Sequence, residues 1–473
     1  MTTTQAGLNT SKAEPDNQCF LLRLPTEIIA NVFIHTLPKY RHILPNAYTP
    51  ADTVPFPHPM SAPLLLTNLC RRLTQIAWST PILWSCLAIS VGLPEREPSV
   101  DLSALQRWLG RAGAHPLTLR IIVASYQQEL IETIMSTSAR WKSVSIRVSC
   151  QPEHLVSMGS WAHGGFPLLE NLVVRGRLSR SFILPLSAAP DVAPRLTKLL
   201  VTGGFTPPFR LPLGNLRELE LNNCAIQELL TMLPHTPSLE SLTLVNTEYL
   251  PPGNPIFQFT LPCLRRLIIN GNFWQDGLVF LVQGVIAPVL EHLSCSLPGS
   301  LHPRLIFDVF KRLFQKSDCY ITSFSLYFPT AKLDDIIPFL KSTSSIQSLE
   351  LECDEAASDA LFLGLTWDPS RGAGSMLLPH LSSLSLKPRW GYSQFNPLWF
   401  DMLQSRTGVD RFPPISATEP AHLRAFGIRT AVSTHVHRQV EEFCMTRGID
   451  LDLRIVGGES HNIHSPILES SFL

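Results

Sequence analysis

Acid–base, nucleophilic and metal chemistry each need particular side chains brought to one face, and this chain offers few such groupings. His435 and His437 stand two apart on a stretch with helical periodicity, so they point to different faces and read as a solvated pair rather than joint metal ligands. Cys444, nine and seven residues further on, could be drawn with either as a thiolate–imidazole dyad, but that spacing does nothing to unite them. The neighbouring carboxylates Asp334–Asp335 and Glu441–Glu442 read as a helix-terminal pair and a solvated face. His58 and His302, each beside a proline, read as loop residues. The ten cysteines occur singly, with no C-x-x-C, which predicts free thiols in a reducing compartment rather than disulfides or zinc ligands. No phosphate loop, dinucleotide fingerprint, H-E-x-x-H helix or G-x-S-x-G elbow is present. The expectation is a chain with no catalytic residues, no metal and no cofactor, and not an enzyme.

The totals turn attention from chemistry to binding. Over 473 residues, Lys and Arg number 38 and Asp and Glu 38, so no basic excess is available to neutralise phosphates and nucleic acid is not an expected partner. An apolar content of 45% with 16% charged residues predicts a sizeable core. No run of 18 apolar residues occurs, so no membrane span is expected, and residues 1–18 are polar and read as a disordered tail. These features together place the chain in the cytoplasm, the nucleus or both.

The stretch from Leu21 to Leu87 is the most specific. Ile28, Ile29, Val32, Phe33 and Leu37 recur at helical spacing behind Leu24-Pro25-Thr26, where a proline and a hydroxyl suit a helix start, and Pro38 ends that helix. After a proline-rich gap, Leu65, Leu69, Leu73, Ile76 and Ala77 fall on one helical face, with Arg71 and Arg72 pointing away. Thr80-Pro81 breaks that helix, and Leu83, Trp84 and Leu87 begin another short apolar turn. A few short helices of this size are marginal alone and need a partner or the rest of the chain to cover them.

This stretch resembles an F-box, in particular that of the F-box-like proteins with leucine-rich repeats common in mushroom-forming fungi. Leu24, Pro25, Glu27, Ile28 and Phe33 match the first part of that signature, and Cys70, Arg71, Ile76, Ala77, Thr80, Pro81, Leu83 and Trp84 match the second. Leu73 stands where the family usually has tryptophan, and the Lys39–Ala62 gap is longer than the compact form. The resemblance implies docking to the Skp adaptor of a Skp–cullin–F-box ubiquitin ligase, with Leu24, Pro25, Ile28, Ile29, Phe33, Leu69 and Trp84 carrying the docking or supporting it. A helical cap on a repeat array is the competing reading of the same helices.

Beyond a short linker the chain alternates strand and helix, then repeats itself. Pro116–Val123 and Trp141–Val148 read as strands, with a helix over Gln127–Ser138 between them. A proline or small residue then heads apolar positions two, five and seven further on. Pro167, Pro194, Gly214, Pro237, Pro262 and Pro288 head such copies, stepping by 27, 20, 23, 25 and 26 residues. Later copies at Ile321, Ile346, Pro379 and Ala421 step less regularly. Leu216–Ile226 and Leu264–Trp274 carry the longer leucine-rich-repeat signature, with Cys224 and Asn272 at its turn-capping position. Apolar helices are expected on the return side at 226–233, 277–286, 305–314, 333–340 and 356–363, an insertion over 396–420, and a last helix and strand at 435–446 and 449–455.

The expected fold is therefore α/β: a short all-α F-box over residues 19–90, then an irregular leucine-rich-repeat solenoid over 99–456, with a parallel sheet on one face and helices on the other, and a loose tail over 457–473. A (β/α) barrel is the competing topology. The residues between the repeat leucines, among them Arg217, Glu218, Glu220, Glu240, Ser241, Thr243, Arg265, Arg266, Ile268, Gln347, Ser348 and Glu350, should face outward. Their mixed signs and hydroxyls suit a protein surface. The functional expectation is a substrate receptor that holds a target protein near a ubiquitin-charged partner, through the adaptor and its cullin. A repeat-based interaction scaffold with no ligase role is the alternative.

Overall fold

The computed structural model describes residues 20–37, 54, 56–91, 101–125, 127–148, 165–176, 193–205, 213–248, 258–271, 275–296, 303–327, 333–353, 359–368, 376–388, 397–406, 423–428, 442–443, 445–446 and 450–452. It divides into two compact units that part between Leu196 and Thr197.

The first unit opens with a 3-10 turn over Phe20–Arg23 and helix α1 (Thr26–His35). Pro25 is extended and its carbonyl accepts from the Ile28 and Ile29 amides, so Thr26 is the first helical residue and makes no side-chain cap. The expected second helix is in two pieces: a 3-10 turn over Leu65–Asn68 and α2 (Arg71–Trp78), separated by Cys70 in an extended conformation. A further 3-10 turn over Pro81–Trp84 leads directly into strand β1 (Cys86–Val91), which the sequence reading had placed in the helical block. Then come α3 (Leu102–Arg111), β2 (Leu117–Val123), α4 (Gln128–Met135), β3 (Trp141–Val148) and β4 (Asn171–Gly176). The four strands pair in parallel, each with the next.

The second unit contains β5 (Lys198–Phe205), β6 (Glu218–Ala225), α5 (Ile226–Met232), β7 (Ser241–Glu248), β8 (Phe259–Thr260), β9 (Arg266–Asn270), α6 (Gln275–Gly284), β10 (Val285–Ile286) and β11 (His292–Ser296). It continues with α7 (Pro303–Ser317), β12 (Ser323–Tyr327), α8 (Leu333–Lys341), β13 (Ser348–Cys353), α9 (Asp359–Leu365), β14 (Ser383–Pro388), α10 (Pro397–Arg406), β15 (Ala425–Ile428) and β16 (Asp450–Asp452). Apart from the short β8–β10 pair, its strands stand in chain order and pair in parallel. No pairing among the described residues joins β16 back to β5, as a barrel would require. The expected insertion over 396–420 contains α10. Of the expected last helix, only residues 442–443 and 445–446 are described. Asn272 lies outside the described residues, and Cys224 sits inside β6, paired in register with Thr247, rather than in a turn after the strand.

Each repeat is built the same way, for reasons visible in the residues. The heading proline is the second residue of a tight turn, where a fixed φ and a missing N–H cost nothing. The Leu169, Leu196, Leu239, Leu264, Leu290 and Leu381 amides accordingly donate to the carbonyls of Phe166, Ala193, Thr236, Leu261, Ala287 and Leu378, at 3.1–3.3 Å. Next, two successive amides of each repeat converge on one carbonyl of the repeat before. Arg217 and Glu218 bond Thr197 O at 2.8 and 2.9 Å, and Glu240 and Ser241 bond Arg217 O at 2.8 and 2.9 Å. The same two-on-one bond recurs on Glu240, Arg265, Glu291, Thr322, Gln347 and Ser382. The apolar positions that follow fill the core: Leu219, Leu242, Leu267, Leu293, Phe324, Leu349 and Leu384 are all at most 1% exposed. Burying each removes a large apolar side chain from water, worth about 1.5–3 kcal/mol.

Past the core the strands turn through left-handed residues. Gly203, Asn223, Asn246 and Gly271, each two positions after the core residue Val201, Leu221, Leu244 or Ile269 of its strand, have φ of 111°, 58°, 49° and 86°. A Cβ on Gly271 would collide with Asn246 Oδ1 and lie 2.9 Å from its Cγ. In the C-terminal part, Arg406 is 2% exposed at the end of α10. Its Nε donates to Leu365 O at 2.7 Å, and its Nη2 to Leu377 O at 2.8 Å and Leu378 O at 3.1 Å. Its Nη1 reaches Leu378 O at 3.1 Å and Leu381 O at 3.5 Å. These partners are all carbonyls, and burial pushes the guanidinium down to about 10, still charged at neutral pH.

Two stability experiments follow. Gly271→Ala should lose about 1–3 kcal/mol in chemical denaturation, and adding Asn246→Gly should recover part of it by removing the collision while leaving the φ strain. Arg406→Met should lose at least about 2 kcal/mol, because buried carbonyls are left without donors. An unchanged midpoint would mean that water takes the guanidinium's place.

Candidate functional site

The helical block of the first unit is held by a few polar bonds around buried apolar residues. Arg72 donates to the carbonyl of Leu22 and, at 3.1 Å, to that of Leu24, tying α2 to the segment before α1. It therefore does not simply point away, as the helical pattern suggested. Thr80 Oγ1 donates to Ile76 O at 2.7 Å, closing the end of α2 and turning the chain into the Pro81–Trp84 segment. Trp84 is fully buried. Its Nε1 donates to Ala77 O at 2.8 Å, while its own carbonyl accepts from Trp108 Nε1 at 2.9 Å. The two indoles meet edge-on with centroids 4.9 Å apart. The Thr-Pro-x-Leu-Trp motif is thus a joint between α2 and α3.

The seven docking residues expected from the sequence separate by exposure. Ile29, Phe33 and Trp84 are buried at 0–1% and form the core of the block. Ile28 is 46% exposed and Leu69 is 54% exposed; Pro25 is exposed and Leu24 half-buried. Leu69 leaves the face it would share with Leu73 because extended Cys70 interrupts the helical period between them. Leu73 is 6% exposed and packs inside. The sequence reading did not single out Val32 as a surface residue, nor Trp78 and Ile82, yet they are 39%, 48% and 39% exposed. Val32 was legible as the residue one helical turn beyond Ile28.

The second candidate surface is the sheet face between the repeat leucines. In the second unit none of the twelve residues named for it is buried: Arg217, Glu218, Arg265, Arg266 and Gln347 are exposed and the other seven half-buried. Many of their charges are already matched across neighbouring repeats. Lys198 Nζ lies 2.6 Å from Glu218, Arg217 lies 3.2 Å from Glu240, and Arg265 lies 2.8 Å from Glu291. Ser325 donates to Glu350 at 3.2 Å. In the first unit the equivalent positions divide: Ala88, Ser90, Ser143, Ser145 and Val173 are at most 4% exposed, whereas Thr118, Arg120, Asn171 and Arg175 are half-buried and Cys86 and Arg147 are exposed. The Phe56 ring, from the proline-rich gap, lies 5.7 Å from the Arg120 guanidinium on that face. The outward-facing expectation was made on residues of the second unit, and none of them is buried.

The groups considered for catalysis gather nowhere that is described. His302, His435, His437, Glu441 and Cys444 lie outside the described residues, as do the side chains of Asp334 and Asp335. His58 is exposed, and its Nδ1 accepts from the Met60 amide at 3.1 Å. No three His, Cys, Asp or Glu side chains among the described residues could hold a metal ion. Burial raises the Cys295 thiol well above its usual value and the Cys319 thiol to about 11, the reverse of nucleophilic activation. No helix among the described residues is long and apolar enough to cross a membrane.

Adjacent isoleucines test the division of the docking residues. Ile29→Asp should cost more than about 4 kcal/mol, by burying a charge without a partner. Ile28→Asp should cost less than about 1 kcal/mol, since its site stays in water. Thermal denaturation of the two variants checks this, and equal losses would mean that Ile28 is packed.

Neither a family model nor a curated protein matches this chain. Among solved structures, the crystal structure of a protein from Bacteroides fragilis aligns over 68% of this chain and 69% of its own, with 12% identity and a TM-score of 0.25.

Proposed function

We propose that this chain is the substrate-recognition subunit of a Skp–cullin–F-box ubiquitin ligase. The observation that carries the reading is the pairing of exposed and buried apolar residues on the N-terminal helices. Ile28 and Val32, one turn apart on α1, and Leu69 ahead of α2 stand in water above a core made by Ile29 and Phe33. A stable helix pair has no need to leave such residues uncovered, and an apolar docking partner supplies the cover. Leu73 replaces the family's tryptophan in the packed interior, so the substitution alters packing and leaves the outward residues as they are.

The remaining strands form a leucine-rich-repeat solenoid whose open sheet face in the second unit receives the target protein. Its charges are mixed and largely neutralised, which selects a protein surface by shape and hydroxyl contacts over a polyanion. The chain itself contributes proximity between target and ubiquitin carrier, and no bond-making chemistry.

Co-purification of the full chain with the Skp adaptor is the test. Point variants serve it better than a deletion through residue 92, which would strip β1 from the sheet. Wild type should retain the adaptor, and Ile28→Asp and Leu69→Asp should each lose at least tenfold in affinity with unchanged melting temperatures. Failure of the folded wild-type chain to retain adaptor would overturn the receptor reading and leave a repeat-based interaction scaffold.

A further inference from the structure

Beside Trp78, the last residue of α2, lies a positive charge from α3 that no carboxylate among the described residues neutralises. The Arg111 guanidinium, at the last residue of α3, lies 4.6 Å over the buried Trp84 ring and 5.0 Å over Trp78, which is 48% exposed. It stacks on these two indoles, and no carboxylate among the described residues pairs with it. Arg107, one turn earlier on α3, is exposed and adds a like charge. Partial burial and Arg107 together hold the Arg111 guanidinium below its usual value. The surrounding sequence shares the imbalance: residues 20–112 carry eight Lys and Arg against five Asp and Glu, in a chain whose totals are 38 and 38.

An arginine already flattened between two indoles has lost most of its rotamer freedom, while its outward N–H groups remain free to form a planar fork. That is a receptor for a carboxylate, and the exposed edge of Trp78 beside it offers apolar contact to the stem carrying that carboxylate. We propose that the docking face of the N-terminal helices extends along α2 to Trp78 and Arg111, and that Arg111 binds an acidic side chain of the adaptor. The inference rests on the adaptor-docking reading and adds an electrostatic half to its apolar half. It also places part of the docking surface on α3, outside the F-box signature.

The experiment measures adaptor binding by the full-length chain at low and high salt, for wild type and for Ile28→Asp, Trp78→Ser, Arg111→Gln, Arg111→Glu and Arg107→Glu. Arg111→Glu should weaken binding at least tenfold and Arg111→Gln several-fold. The salt dependence of wild-type binding should be reduced in Arg111→Gln. Arg107→Glu leaves the indole stack untouched and supplies a competing carboxylate one turn from Arg111, so it should weaken binding several-fold even if the Arg111 variants prove unstable. Trp78→Ser should weaken it as well. If Ile28→Asp abolishes binding while Arg111→Glu and Arg107→Glu bind as wild type, the extension is wrong and the docking reading stands. If the folded wild type does not bind at all, both fall together.

Discussion

Two amide groups of each repeat converge on a single carbonyl of the repeat before, and most of the second unit depends on that bond. It fixes the start of every strand against its neighbour before any side chain is considered. The proline turn ahead of it supplies the approach direction, and the leucines after it are thereby delivered to one face at one depth. Loops of very different length can then leave and return without disturbing the core, because register is set afresh at each carbonyl. This accounts for a sheet that stays in order through β14 and β15 although the repeat spacing has become irregular.

A different kind of joint holds the N-terminal helices. There the Trp84 indole is at once a hydrogen-bond donor to α2, a core side chain and one wall of the Arg111 stack. Because Ile29, Phe33 and Trp84 satisfy the interior among themselves, the residues above them are released from structural duty. Exposure of Ile28, Val32, Leu69 and Trp78 is then a property of the surface alone. Surface and support were one list in the sequence and are two layers in the structure.

The repeat core was legible because its period is strict. Leu219, Leu221, Leu242 and Leu244 lie where spacing put them, and Trp141–Val148 is a strand over the residues expected. Cys86–Val91 was missed because a six-residue, mostly apolar run next to a helix carries no period to distinguish strand from turn. Leu69 was assigned to the wrong face because nothing in Leu-Cys-Arg-Arg announces an extended cysteine. The left-handed ladder had a trace in Gly203-Gly204, Asn222-Asn223 and Asn270-Gly271, residue types that tolerate positive φ. Burial of Ser143 and Ser145 on the sheet face of the first unit had none, since serines there look like solvent residues. Nor did Arg406, whose interior place is set by carbonyls from two separate segments, the end of α9 and the turn over residues 377–381.

The ion pairs at the strand starts bear on how such a chain can change its length. Reading along Arg217, Glu240, Arg265 and Glu291, the sign alternates from one repeat to the next. Each pair contributes little to stability in so wet a setting. Their arrangement still matters to the gene that encodes them. Excising or duplicating one unit would set like charges side by side at about strand spacing, whereas a change by two units would restore the alternation. The array is therefore expected to have grown, and to tolerate trimming, in steps of two.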